Sequence, residues 1–297
     1  MTPPTLAFVG AGRAATGLGR ALFDRGWRIE SVCSHGGESA RRLAESVGAR
    51  PVLHASDITG DLVIVSVPDG AIADAAGQLA AAPSLWEGRG VVHTSGATGI
   101  QALNALAERG AMIGGLHPAY PFSADPSVTP NLNGVTFAAE TQDDLLSQWL
   151  TALVDSLGGT VLTLPPEARP IYHAALVFAS NYTITLIALA GRLMESFGAA
   201  AGPAKGALDA LVAGMVENVR RDGATAALPG PLVRADVGTI EAHMRALRWL
   251  DPDAARLYAE LARATYPILR ARGVPPHKLE EILRVLGEDE IHAKHDS

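Results

Sequence analysis

Gly10, Gly12 and Ala15 follow the short apolar run Thr5–Val9, and a helical pattern with Leu18 and Leu22 on one face follows them. The spacing G-x-G-x-x-A between a strand and a helix suits the grip of a pyrophosphate. Gly10 can make a turn closed to most residues, Gly12 lets the main chain approach the phosphates, and Ala15 permits close packing of helix on strand. The helix N-terminus, where Arg13 sits, offers free N–H groups and partial positive charge. The next strand, Ile29–Cys33, ends without the acidic residue usual in NAD sites. Ser34 and His35 stand there instead, with Arg41 and Arg42 close behind. A small polar residue with arginine nearby favours a 2'-phosphate, so the spacing points to NADP. The apolar strand Leu62–Val67 ends at Pro68 and Asp69, which places Val67 and Pro68 against the same cofactor.

Three further stretches concentrate polar groups. VVHTSGATG puts His93, Thr94 and Ser95 after a strand; Ser95 either meets substrate or closes a turn through backbone bonds. GGLHPAYPFS puts His117, Tyr120 and Ser123 in a loop stiffened by proline. His117 there is suited to donating a proton or binding a carboxylate, and Tyr120 to contacting substrate; a rigid structural loop is the alternative. His173 and Asn181 share an apolar helical stretch. On a straight helix they stand about 80° and about 12 Å apart, so both can line one pocket without touching. Near the C-terminal third, Arg234 suits a bidentate grip on an anionic substrate. Asp236 can cap the helix that follows, and His243 lies near it on one stripe. His173, Asn181, His117 and His243 are therefore the catalytic candidates. Ser95, Tyr120, Arg234 and Asp236 are the substrate-binding ones.

These residues need positioning elements. Strands are predicted at 5–9, 29–33, 62–67, 90–93 and 111–116, with 136–139 and 160–164 extending the sheet. The alternation with helices indicates an α/β Rossmann-type, mostly parallel sheet ending near residue 164. Pro165 and Pro166 mark a boundary, after which only helices are predicted: 168–198, 203–221, 236–249, 253–271 and 277–286. The domains expected are thus 1–164, nucleotide-binding, and 165–297, helical, substrate-binding and dimer-forming. Pro267 is expected to kink or end its helix. The tail 288–297 reads as polar and frayed. The apolar stretch from His173 is expected to be a buried helix rather than a membrane span, with a homodimer supplying part of the burial.

Composition narrows the rest. The 297 residues are 48% hydrophobic and 19% charged, with net charge -7. Enough apolar residue is present for a core, and no concentrated basic footprint for nucleic acid is seen. One cysteine, Cys33, excludes a disulfide framework or Cys-rich zinc site and suits a reducing compartment, here read as the cytoplasm. H-E-x-x-H, G-x-S-x-G and a Walker lysine are all missing. No metal and no membrane partner are expected, and hydride transfer is the simplest chemistry left for such a site.

GAGRAATGLGRAL, DLVIVSVPD, VVHTSGA, GLHPAYPFS, HAALVFASNY and GPLVRADVGTIEAH together resemble the Rossmann-like proteins with a helical DUF2520 domain. These belong to the 6-phosphogluconate dehydrogenase-like superfamily. The resemblance implies an NADP-dependent oxidoreductase, often dimeric, related to ketopantoate and pyrroline-5-carboxylate reductases. It implies reduction of a small oxo acid or imine, ketopantoate being the most concrete choice. Relatives use a lysine and an asparagine four residues apart; Asn181 matches the asparagine, but Val177 stands at the lysine position. That departure leaves a non-catalytic dinucleotide-binding or sensor protein as the alternative. The related motif GP-x-x-RGD carries Ala235 in place of its glycine.

Overall fold

The computed structural model describes residues 3–287; the polar tail 288–297 lies outside them. Eight strands form one sheet: β1 (Leu6–Val9), β2 (Ile29–Cys33), β3 (Arg50–Val52), β4 (Leu62–Val65), β5 (Gly90–His93), β6 (Met112–Pro118), β7 (Thr136–Thr141) and β8 (Thr160–Thr163). Their order is β3-β2-β1-β4-β5-β6-β7-β8. All neighbours pair in parallel except β6 and β7. The sheet is therefore of the mostly parallel Rossmann kind. β3, which the apolar pattern does not announce, lies at the edge, where Pro51 costs no ladder bond.

Both faces of the sheet are covered, as its apolar strands require. Leu6, Phe8, Leu62 and Ile64 point to one core with Leu18 and Leu22 of α1 (Arg13–Asp24) and Leu43 of α2 (Glu38–Ser46). Ala7, Val9, Val63 and Val65 point to the other, against α3 (Ile72–Ala80) and α4 (Asn104–Ala107). α5 (Asp144–Ser156) covers the first face through Leu146, Leu150 and Leu153. Cys33 is buried at the end of β2, and burial raises its thiol pKa.

The chain divides into two compact units, which meet in sequence between Tyr182 and Thr183. The change of composition at Pro165 precedes that point. α6 (Arg169–Val177) belongs to the first unit by its contacts, because Arg169 is buried against the sheet. A single π turn, Phe178–Tyr182, follows it. The straight-helix relation expected between His173 and Asn181 therefore does not apply, since an i→i+5 turn resets the helical phase.

The second unit is all helical: α7 (Thr183–Glu195), α8 (Ala201–Asp222), α9 (Ala224–Ala227), α10 (Val237–Leu250), α11 (Pro252–Ala264), α12 (Tyr266–Ala271) and α13 (Pro276–Leu286). α10, α11 and α13 share a core of Ile240, Met244, Ala255, Ala259 and Ile282. The stretch 253–271 is two helices, α11 ending before Pro267, whose ring sits in the first turn of α12.

The expected burial of the apolar run does not occur within one chain. Pro166–Glu195 is long and apolar enough to cross a membrane, with mean hydropathy 1.6, and its most apolar window has none of its residues buried. Ile171, Phe178 and Ile184 are exposed. The physical reason is that the buried cores of both units close without it, the first on the sheet and the second on α10, α11 and α13.

Ala235 has φ 51°, the one non-glycine residue in the left-handed region among the described residues. This is the position at which the motif it resembles carries glycine. The left-handed region costs an L-residue about 1–2 kcal/mol, partly offset by the entropy glycine loses on folding. Ala235→Gly is therefore expected to stabilise the protein by about 0.5–1 kcal/mol. A higher urea midpoint at unchanged m-value would show it; an unchanged or lower midpoint would contradict it.

Candidate active site

The glycine loop joins β1 to α1 at the carboxyl end of the sheet. Gly10 has φ 100°. A Cβ there would collide with the Ser66 carbonyl and lie 3.1 Å from Val67 Cγ1. Gly10 thus lets β1 turn sharply past the strand beside it. Gly12 differs: it is the N-cap of α1, and a Cβ added to it meets nothing within 4 Å. No side chain caps the helix, so its first amides remain available to an anion. Ala15 is fully buried, as close helix packing needs. Turn, open approach and uncapped helix fit the pyrophosphate of a dinucleotide.

A cavity of about 610 Å³ adjoins this loop, lined by Gly12, Arg13, Thr16, Ser39, Arg42 and Tyr120 among others. The loop after β6 forms its far wall. Phe122 packs over Gly17, where a Cβ would sit 2.5 Å from its ring, and Arg20 donates to the Pro126 carbonyl. Ser34 has its hydroxyl engaged with Ser39 Oγ at 2.8 Å and with the Ala40 amide. His35 is exposed beside it, and Arg41 faces Glu45 at 3.9 Å. Arg42, paired with Glu38, lies on the cavity wall while Arg41 does not.

Next to the loop, β4, β5 and β6 end together. His93, Gly115 and Glu140 fall in one row across β5, β6 and β7. On this row lies the guanidinium of Arg169, 1% exposed and ion-paired with Glu140. Its Nη1 also donates to the Ser95 carbonyl at 2.9 Å. Gly115 has no side chain because Arg169 occupies its place: a Cβ there would collide with the guanidinium. An isolated buried charge is costly, and a buried pair persists only with close geometry and further hydrogen bonds. Arg169 meets the first through Glu140 and the second in part through Ser95, its Nη2 and Glu140 Oε1 having no hydrogen-bond partner, and it fixes the start of α6 over the sheet.

One turn later α6 presents Tyr172 and His173 to His117. The Tyr172 hydroxyl lies 2.9 Å from His117 Nδ1, and their rings meet edge to face. The His117 and His173 ring centroids are 6.4 Å apart. Gly96 lies beside them, with room for no Cβ: one would come within 3.0 Å of His117 Nε2 and 2.9 Å of His173 Cδ2. Burial, with His173 and Arg169 adding to it, pushes the His117 pKa down to about 4 against the pull of Asp69. Burial and Arg169 hold His93 near the same value, opposed by the Gly99 backbone and Asp69. Both imidazoles are thus neutral at pH 7. The site offers hydrogen-bond donors and a phenol, and no imidazolium at His117.

Other predicted residues have different surroundings. The Ser95 hydroxyl accepts from the Ala97 and Thr98 amides, closing the turn. Tyr120 packs edge to face on Phe122. In the second unit, Asp236 caps α10 by accepting from the Thr239 amide at 3.1 Å and hydroxyl at 2.7 Å. His243 Nδ1 lies 3.1 Å from the Tyr258 hydroxyl, and Arg234 is exposed ahead of the cap. Asn181 falls in the π turn. Sequence reasoning brings forward His117 and His173, which meet, but passes over Arg169, Glu140 and Tyr172. The double glycine inside β6 was a usable signal, since a glycine within a strand often marks close approach.

The Rossmann-like domain family matches residues 3–118, and the family described as a domain of unknown function, DUF2520, matches residues 135–265. In order along the chain, a Rossmann-like match is thus followed by a DUF2520 match. No curated protein matches it. Among solved structures, a candidate NADP oxidoreductase from Bacteroides fragilis is 28% identical, with TM-score 0.72, over 88% of this chain and 97% of its own. A protein from Thermotoga maritima is 22% identical, with TM-score 0.70, over 90% and 99%. A pyrroline-5-carboxylate reductase from Coxiella burnetii is 15% identical, with TM-score 0.59, over 94% and 99%. The last two share the fold of this Rossmann-like–DUF2520 chain: an α/β unit first, a helical unit second.

The two glycines of the Rossmann-like domain are expected to separate experimentally. Gly10→Ala should lower the melting temperature, because backbone and Ser66 must both move. Gly12→Ala should fold as the parent does and lose at least tenfold in dinucleotide affinity, measured by calorimetry. Equal affinity of the Gly12 variant and the parent would rule out close pyrophosphate approach at this turn.

Proposed function

We propose that the protein is an NADP-dependent oxidoreductase that reduces a small anionic oxo acid or imine. The observation that carries this reading is the convergence of an open glycine turn with Tyr172, His173 and a neutral His117 at the ends of β4–β6. In a parallel sheet that edge is where ligands sit. Similarity to the Bacteroides fragilis protein supports the oxidoreductase class and NADP. The pyrroline-5-carboxylate reductase, whose named substrate combines a cyclic imine with a carboxylate, supports the substrate class. Ketopantoate is one member of that class to test.

The nicotinamide, when bound, supplies a hydride. The chain's own residues do the rest. Gly10, Gly12, Ala15 and the first amides of α1 hold the pyrophosphate, with Val67 and Pro68 beside it. Arg13 and Arg42 with Ser39 offer the charge and hydroxyl for a 2'-phosphate, and Ser34, His35 and Arg41 form the adjoining rim. His117, His173 and Asn181 are the catalytic candidates of the first unit. Arg234, with Asp236 and His243 nearby in sequence, is the anion-binding candidate of the second. The reducing cytoplasm suits a chain with one thiol.

The same reading includes a homodimer. Leu211, Met215 and Val219 are exposed at i, i+4 and i+8 along α8, with Ile184 exposed on α7. Such a stripe requires cover, and a second copy presents the same stripe.

Purified protein with NADPH and a panel of small oxo acids, including ketopantoate, and cyclic imines should show substrate-dependent loss of nicotinamide absorbance. Tight NADPH binding without turnover across the panel would favour the sensor instead. Light scattering should give twice the chain mass of 30.8 kDa, and Met215→Glu should halve it; a monomeric parent would refute the dimer.

A further inference from the structure

Reduction of a C=O or C=N bond consumes one proton besides the hydride. The groups gathered around His117 are Tyr172, His173, Arg169 and Asp69. Arg169 is committed to Glu140 and the Ser95 carbonyl and is 1% exposed, so it gives no proton. Thr94 and Ser66 share a hydrogen bond of 3.0 Å with each other. Asp69 is exposed beyond the carboxyl end of β4 and is in contact with neither ring. What remains is His173, whose ring meets His117 only edge to face at 6.4 Å between centroids, and a hydrogen-bonded pair: a phenol on α6 and an imidazole at the end of β6, 2.9 Å apart and each partly open to solvent.

We propose that Tyr172 is the proton donor to the substrate and that His117 returns the proton to it. This rests on the reductase reading above. The substrate's oxygen or nitrogen takes the Tyr172 hydroxyl proton as its carbon receives the hydride, and the π pair ends on that heteroatom as a lone pair. His117 Nδ1–H passes its proton to the phenolate oxygen. Nε2, on the far side of the ring facing Gly96 and His173, takes a proton from solvent. The phenol is restored, the imidazole has changed tautomer, and a second proton exchange resets it. One hydride and one solvent proton are consumed, and the chain gains nothing.

The electrostatics agree with this direction. Burial raises the Tyr172 pKa, although Arg169 opposes the shift, so the phenol keeps its proton at neutral pH. His117 is neutral there, with burial, His173 and Arg169 against protonation and Asp69 for it. A neutral imidazole can exchange tautomers; an imidazolium held as a permanent cation would not.

The experiment uses the full chain labelled with ¹⁵N-histidine, together with the substrate found by the panel. In the parent protein His117 should stay neutral at pH 7 with its proton on Nδ1, and Tyr172→Phe should move that proton to Nε2. With NADPH affinity unchanged, Tyr172→Phe should lower kcat by about 10²–10⁴-fold. His117→Gln should slow turnover less. Global 3-fluorotyrosine, which leaves the fold intact and makes the phenol more acidic, should shift the alkaline limb of the pH–kcat profile to lower pH. A Tyr172→Phe enzyme that keeps kcat within twofold overturns the proton-donor role while the reductase reading stands. So does a fluorotyrosine profile that does not move. A parent protein that binds NADPH and turns over nothing defeats the reductase reading itself, and the proposal with it.

Discussion

The Arg169–Glu140 pair holds the first unit's chemistry in place. It joins three segments distant in sequence: the end of β7, the turn after β5 and the first turn of α6. Burying two charges is not a route to stability, since their desolvation consumes most of what their attraction returns. What such a pair supplies is position. A guanidinium lodged where Gly115 lacks a side chain, bonded on one edge to Glu140 and on another to Ser95, leaves α6 little freedom to rotate or slide. Tyr172 and His173 are three and four residues further on, so they inherit that placement.

The same charge shapes the titration of its neighbours. Arg169 disfavours protonation of both His93 and His117, adding to the burial of each. Arg169, too deeply buried to meet a ligand, thus both places Tyr172 and His173 beside His117 and adds to the burial that keeps His117 neutral. The glycine turn works by the opposite means. Gly10 is confined by Ser66, whereas Gly12 faces open space, so one glycine is a condition of the fold and the other a condition of approach.

Much of this was legible in the chain because the signals are local. Gly10, Gly12 and Ala15 stand within six residues, and the apolar runs at Leu62 and Gly90 name their strands without help. Asp236 reads as a cap because the residues it bonds lie three positions on. His117 and His173 could be singled out by type and setting, although only the fold shows that they meet. Arg169 and Glu140 were not legible: 29 residues separate them, 74 separate Arg169 from Ser95, and each alone resembles an ordinary surface charge. Tyr172 is hidden for the same reason, since its partner is 55 residues away. The apolar stretch from His173 misled differently. Its composition states that cover is required, and composition cannot say whether the cover comes from the same chain.

Cys33 has a practical consequence. Its thiol is buried at the end of β2 and made less acidic by that burial, so the reactive thiolate is scarce and hard to reach. The parent chain is in effect already a cysteine-silent background. A fluorophore or spin label attached to one cysteine introduced in each unit would report distances across the Tyr182–Thr183 junction in solution, with no native thiol to remove and no core position to repack.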